Sequence, residues 1–457
     1  MKQFAHLHVH TEFSLLDGAV RIYEVFELCD KLNIPAIAIT DHGNMYGVIK
    51  FLQAAVRHTD FRADFLDFMA ERRPFKVKPI IGCEVCMTDN MHVREKGKDN
   101  VPPKLYHLVL LAKNEAGYHN LVKIVSEGYA EGTYDNPHVD FEFIKAHSEG
   151  LIALSACLAG VIPQAILEND FALADAWIKK FKDVFGDDFY VEIQNHDMNK
   201  QKIVLPHLIR LAKENSVKVV ATNDAHYSTK VDSETQKVLL AISDCSVSGN
   251  ADVDVDVSDS NFFLTDEFYI KNYDEMYAAL PYEDALAASL EIAEKCDPYL
   301  IKKEQLLSSY IPPEGMTAEQ FLRKLTFDGL KVRYGESNVS KISTFERFSA
   351  SIAIRCVGRI YNYPDSEIVK ITRFIPMMES RKNQLECILK SDECEDEMRK
   401  SDFDKLKDMY KNDKKVRVIL DMAMKIEGMP QKIGVRYAGV VICYDPIADH
   451  VPLVRTN

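Results

Sequence analysis

The sequence predicts an α/β fold: a distorted, TIM-like (β/α)7 barrel followed by a mostly helical C-terminal region. Three observations predict it. Seven short segments before residue 225 read as buried strands, and six of them are unbroken apolar runs. Unbroken runs are what strands covered on both faces look like. Helical periodicities lie between them, which points to repeated strand-helix units. After about residue 230 the strand signal fades, and helical, charge-rich segments take over.

The strands follow in chain order: QFAHLHV (3–9), IPAIAIT (34–40), VKPIIGCEV (77–85), YHLVLLA (106–112), LIALSA (151–156), FYVEIQ (189–194) and VKVVATN (217–223). Only FYVEIQ alternates. Helices are expected over 21–33, 114–132, 170–186 and 201–216, then over 235–246 and 283–297. Seven such units favour a closed, parallel, barrel-like arrangement over an open doubly wound sheet. No GxGxxG follows a strand and no GxxxxGK[ST] is present, so neither a Rossmann nor a P-loop nucleotide site is expected. DVDVDVSDSN (252–261) reads as an acidic loop, and the charge-rich run 391–417 as a solvated helical face.

Composition narrows the class. A chain of 457 residues with 47% hydrophobic content can build two or three packed domains. No apolar run is long enough to span a membrane, and the N-terminus lacks a signal-peptide core, so a cytoplasmic protein is expected. Ten scattered cysteines argue against a disulfide framework, and the Cys83/Cys86 pair in IIGCEVCM reads as core. The net charge of −14 argues against a protein that coats nucleic acid non-specifically.

The chemistry gathers at strand ends. His8 and His10 lie two apart on one strand, so both imidazoles face the same way. Later strands carry Asp41 and His42 in ITDHGNMYG, Glu84 in IGCEV, His107 in YHLVLLA, Cys157 in LSACLAG, His196 in EIQNHD, and Asp224 with His226 in TNDAHY. Asp17 follows the first strand by a loop. One rim of a parallel barrel collects such ends, and that rim hosts the site. Imidazole, carboxylate and thiolate together suit zinc, manganese or iron, and suit magnesium less well. A carboxylate such as Glu84 can bridge two divalent ions. His6 is read as structural, Asp41 as orienting a ligand histidine, and His196 as orienting or substrate-facing.

These segments, HLHVHTEFSLLDG, AITDHGNMYG, KPIIGCEV, YHLVLLAKNEAGYHNL, LSACLAG and ATNDAHY, resemble in order the motifs of the polymerase and histidinol phosphatase (PHP) family. More narrowly, they resemble its form at the N-terminus of the bacterial C-family replicative polymerases, the DNA polymerase III alpha subunits. The resemblance covers about residues 1–290. It implies nine metal-site positions: His8, His10, Asp17, His42, Glu84, His107, Cys157, Asp224 and His226. It further implies up to three divalent ions, held by three sets: His8, His10, Glu84 and Asp224; Glu84, His107 and Cys157; and Asp17, His42 and His226.

Downstream, 310–335 resembles the lead into the polymerase palm, 344–376 the start of the fingers, and 422–453 a later piece of the fingers. This divides the chain into 1–290, a connector at 291–337, and a fingers-like remnant at 338–457. Between Glu336 and Thr344 the family would place most of the palm, including its PDIDIDF-like strand. Polymerisation needs such carboxylates to hold magnesium, so its loss is expected. Asp252, Asp254 and Asp256 imitate that strand but precede the palm. Glu346 and Arg347 replace a Gly-Thr step, and Arg436 stands where the family has a histidine. Lys370, Arg373, Arg381 and Lys382 are weak candidates for phosphate contacts. The function expected is a 3′→5′ exonuclease-like phosphoesterase acting on single-stranded or frayed DNA ends, with replisome subunits as partners. Alternatives are a small-molecule phosphatase, a non-catalytic replisome module, or the product of a deleted polymerase gene.

Overall fold

The structure, a computed structural model, describes residues 2–91, 104–131, 137–248, 265–301, 336–375, 384–390 and 400–454. The acidic loop 252–261, the 310–335 segment, residues 391–399, and Arg381 and Lys382 lie outside these.

Seven strands form one curled sheet: β1 (Ala36–Ile39), β2 (Lys78–Thr88), β3 (Tyr106–Ala112), β4 (His138–Asp140), β5 (Leu151–Leu154), β6 (Phe189–Ile193) and β7 (Lys218–Ala221). Their order is β1-β2-β3-β5-β6-β7, with β4 paired to the far end of β2. The first segment of the chain lies between the two edges. Ala38 donates its N–H to the His6 carbonyl (2.7 Å), and His10 donates to the Ala225 carbonyl (2.8 Å). Residues 6–10 thus draw β1 and the end of β7 together. The sequence-predicted first strand is therefore a pair of short bridges rather than a regular ladder.

One strand departs from the parallel expectation. β3 runs antiparallel to both β2 and β5. Its first residues stand opposite the end of β2, with His107 beside Cys86. His107 thereby reaches the same rim as the C-terminal ends of the parallel strands, although it begins its own strand. β4 was not foreseen in the sequence.

The helices form where the periodicity places them, over Ile22–Lys31, Glu115–Glu131, Phe171–Phe185 and Asn199–Glu214. The third is bounded by local chemistry. The Asp170 carboxylate accepts the Leu173 N–H (2.9 Å), and Gly186 ends the helix at φ +57°. Helix Glu283–Lys295 runs through residue 290 and covers the opposite rim, where the parallel strands begin. Its Ala288, Ile292 and Ala293 pack with Leu7, Ile80, Leu154, Tyr190 and Val220 inside the curl. That plug leaves the other rim for polar chemistry.

The C-terminal region is helical over Ala350–Ile360, Asp365–Thr372, Gln384–Lys390, Lys400–Asn412 and Lys414–Ile426. It also contains an antiparallel pair, β8 (Val339–Arg347) and β9 (Pro430–Ile442), which the helical reading missed. Phe348, Ile354, Leu420 and Met429 share an apolar cluster with Tyr227, Val238 and Ile242. Among the described residues no helix is long and apolar enough to cross a membrane, and the cysteines are free.

Candidate metal centre

All nine ligand-type side chains foreseen from the sequence meet at one rim. Glu84, on β2, is the hub. Its Oε1 lies 3.2 Å from His8 Nε2 and 3.0 Å from His107 Nδ1. Its Oε2 lies 2.7 Å from His42 Nδ1 and 3.8 Å from His10 Nε2. Asp224 Oδ1 is 3.1 Å from both His8 and His10. Asp17 Oδ2 is 3.1 Å from His42 Nε2 and 3.7 Å from His226 Nε2. The Cys157 thiol stands 3.9 Å from Glu84 and 3.8 Å from His107.

Three overlapping groups have ligand atoms close enough to share an ion: His8, His10 and Glu84; His42, Glu84 and His107; and His10, His42 and His226. Clustered imidazole and carboxylate groups of this kind, most of them buried, suit a multinuclear metal site. The groups differ from the sets implied by resemblance in giving His42 to the second and His10 to the third. The floor of the centre, His8, His10, Glu84 and His226, is buried; the side chains of His42, His107 and Asp17 are about a third to a fifth exposed and form the mouth.

The charge balance fits a cation. Glu84, Asp224, Asp17, Asp41 and Glu192 gather here, and their ion-pairing and hydrogen-bonding partners among the described residues are imidazoles, hydroxyls, amides, backbone groups and a thiol, with no lysine or arginine. Buried carboxylates need a counter-charge. Burial disfavours a charge on His8, yet Asp224 and Glu192 raise its pKa well above the ordinary value. Burial likewise opposes charge on His42, but Asp17 and Glu84 raise it to about 10. Burial, then the charges of His42 and His226, lowers His10 to about 3. Burial disfavours ionised Glu84 and Asp224, but the surrounding imidazoles overcome it and hold both well below the carboxylate range. Burial, with Asp224 and Glu84, pushes the Cys157 thiol up to about 11. Protons on imidazole here occupy the electrostatic role that a metal ion would take over.

Local structure aims the ligands. Asp41 Oδ1 accepts the Thr11 N–H (2.6 Å) and the Ser14 hydroxyl (2.8 Å). Ser14 Oγ in turn lies 3.0 Å from His10 Nδ1, which turns His10 Nε2 toward Asp224. Asp41 thus reaches His10 through Ser14 and is not itself in the cluster. His226 Nδ1 is 2.7 Å from the Asp224 carbonyl. Asp224 adopts φ +43° and Ala156, before Cys157, φ +62°. Such backbone strain is held only where surrounding bonds fix it. Here Ala225 donates to the His8 carbonyl (3.1 Å) and accepts from His10.

His196 does not enter the cluster. Gln201 Nε2 donates to its Nδ1 (2.7 Å), its Nε2 donates to the Asn223 carbonyl (2.9 Å), and the ring stacks on Phe268 at 3.8 Å. It is buried scaffolding beside Asp224 rather than a substrate-facing group. His6 bonds the Lys271 carbonyl (3.0 Å), away from the ligands. Lys370 pairs with Glu367 on its own helix, and Arg373 lies over Phe374. Cys83 is a buried thiol 3.3 Å from the Asp41 carbonyl.

Two residues were missed in the sequence. Glu192 of β6 is buried, with Oε1 2.7 Å from His8 Nδ1. It also accepts from Gln194 (2.8 Å) and from the Thr222 hydroxyl. The signal was there: an acid and an amide, two apart, in a strand otherwise apolar. Gln236 donates to Asp17 Oδ1 (3.0 Å) from helix Ser233–Ser248.

The PHP domain family profile matches residues 6–196, and the profile of the bacterial DNA polymerase III alpha NTPase domain matches residues 317–457. The DNA polymerase III subunit alpha of Borreliella burgdorferi is 39% identical over 359 residues, covering 77% of this chain and 29% of the relative. That of Thermus aquaticus is 38% identical over 341 residues, covering 73% and 26%. The chain thus spans between a quarter and a third of these relatives' length. Among solved structures, an amidohydrolase from Chromobacterium violaceum aligns over 49% of this chain and 88% of its own, with a TM-score of 0.29 and 13% identity, too weak a likeness to argue from. The chain belongs to the bacterial DNA polymerase III alpha family, within which it corresponds to an N-terminal portion: a PHP domain followed by a fragment of the alpha NTPase domain.

Proposed function

We propose that this chain is a metal-dependent phosphoesterase whose substrate is the 3′-terminal phosphodiester of single-stranded or frayed DNA, removed in the 3′→5′ direction. The observation that carries the reading is the convergence on Glu84: its two carboxylate oxygens lie within 3.8 Å of four histidines, a place from which one carboxylate can bridge ions. His8, His10, Glu84 and Asp224 would hold one ion, Glu84, His107 and Cys157 a second, and Asp17, His42 and His226 a third. Zinc, manganese or iron suits these donors. When bound, such ions polarise phosphoryl oxygens and lower the pKa of a water between them.

The protein's own part is positional. Glu192 and Ser14 fix the tautomers of His8 and His10, so that both present Nε2 to the centre. His42, His107 and Asp17 stand at the mouth, where a phosphate arriving from solvent meets them first. No side chain need act as nucleophile.

The division into a phosphoesterase unit (1–290), a connector (291–337) and a fingers-like remnant (338–457) is part of this proposal, as are a cytoplasmic setting and replisome partners. The sequence holds no PDIDIDF-like strand, so we propose that the chain does not polymerise DNA by itself. The test uses purified protein with zinc or manganese, a 3′-tailed oligonucleotide and a simple phosphate monoester. Release of 3′ nucleotides that is lost in H8A/H10A supports the proposal. Faster hydrolysis of the monoester would favour a small-molecule phosphatase, and undiminished release by H8A/H10A would overturn it.

A further inference from the structure

The inner position, His8, His10, Glu84 and Asp224, and the outer position, Asp17, His42 and His226, are braced by different parts of the chain. His8 is fixed by Glu192, itself bonded to Gln194 and Thr222, all on the sheet or directly after it. At the outer position the sheet touches the His42 loop, where Gly43 donates to the Glu84 carbonyl (2.7 Å). Its three ligands, Asp17, His42 and His226, also lean, directly or through their neighbours, on the C-terminal region.

Phe345, on β8, stands edge-on to Phe13 (centroids 5.4 Å) and to Tyr46 (5.1 Å). Phe13 sits in the loop between His10 and Asp17, and Tyr46 in the loop after His42. One side chain from the C-terminal region thus wedges both ligand loops. Asn44 ties the same loops together, donating to the Phe13 and His42 carbonyls (3.0 and 2.8 Å). Asp17 is held by Gln236, whose helix packs on Ala350–Ile360 and Lys414–Ile426. His226 is followed by Tyr227, fully buried in one apolar cluster with Phe348 and Met429. Ala19, in that same cluster, donates to the His226 carbonyl (2.6 Å). Arg21 completes the seam, with Nη2 donating to the Glu427 carbonyl (3.0 Å).

We propose that the C-terminal region is a clamp that sets the outer ion-binding position, Asp17, His42 and His226, and that Phe345 is its positioning residue. This rests on the metal reading above. The outer position depends on contacts more than 100 residues downstream of its last ligand, whereas the inner position, His8, His10, Glu84 and Asp224, is braced within the sheet.

The experiment is a zinc titration of the full chain, with bound zinc counted by elemental analysis after dialysis. Wild type is expected to hold more than one ion. F345A is expected to keep the tightly held ion and to bind the weakest one about tenfold or more less tightly, the range for lost ligand-orienting contacts. F345L, which keeps an apolar wedge, restores most of the affinity. Should F345A fail to fold by circular dichroism, Q236A replaces it; it removes only the donor to Asp17 and is expected to weaken the same ion. A folded F345A, or a Q236A, with the full complement at unchanged affinity overturns the clamp while leaving the metal reading intact. A wild type that binds no zinc and no manganese overturns both.

Discussion

Glu192 Oε1 lies 2.7 Å from His8 Nδ1, a buried bond between the sixth strand and the segment that opens the chain. The carboxylate holds the ring so that Nε2 faces Glu84 and Asp224. A carboxylate behind a metal-ligand histidine fixes its tautomer and raises its basicity.

That relationship gives a first prediction. E192Q keeps the shape but loses the charge, and E192A loses both. E192A is expected to weaken metal affinity about 10- to 100-fold, with E192Q between it and wild type. A competition titration against a chromophoric chelator measures this. Affinity equal to wild type in both variants would show that His8 needs no support.

Metal removal is expected to destabilise the fold. The nine ligand-type residues come from segments up to 218 positions apart, from His8 to His226, and meet only in the native state. An ion bound to the native state alone at a hundredfold excess over Kd adds about 2.7 kcal/mol. Thermal scans with and without chelator should show a fall in Tm that added zinc or manganese reverses. Identical transitions would argue against a native-state site.

Acid should act partly through His196 and His6. Burial lowers both to about 4 from an ordinary 6.5. The unfolded chain therefore takes up these protons at a higher pH than the folded one. Their contribution is complete above about pH 6.5 and is lost as the pH falls toward 4, on the order of 3 kcal/mol for each. Urea midpoints of chelated wild type and H196N from pH 7 to pH 4 isolate the His196 share. Wild type is expected to show the steeper loss, and parallel curves would refute its being held neutral.

Gly18 closes the loop that carries Asp17. A Cβ there would sit 2.1 Å from the Thr11 carbonyl oxygen and 2.9 Å from that of His10, both backbone atoms. G18A must push these strands of the loop apart, at about 1–3 kcal/mol, and move Asp17 away from His42. A lower denaturant midpoint together with weaker zinc binding is the expected result. A wild-type midpoint would mean that the loop relaxes freely.

Much of the cluster was legible in the sequence because most of its ligand-type residues sit at strand ends, and strands announce themselves through short apolar runs. His8 and His10 could be paired from their spacing alone, and Asp224 with His226 from their place after β7. His107 was found for an incomplete reason. Apolar content reports that β3 is buried but not which way it runs, and only the antiparallel pairing explains why a residue at the start of a strand joins others at the ends. Glu192 escaped notice because an acid in a strand reads as an outward-facing residue until its partner is known.

The sequence by itself determined which ligand-type side chains stand at strand ends, the α/β class of the first part and the family, since these depend on local periodicity and on ordered short motifs. The direction of β3, the β8–β9 pair, the partnership of Glu192 with His8 and the seating of Phe345 between Phe13 and Tyr46 were decided only in three dimensions. Each of these joins residues between about 20 and more than 300 positions apart. The physical reason is that hydrophobic periodicity records whether a side chain is buried, whereas the partner it is buried against is chosen by the packing of the whole chain.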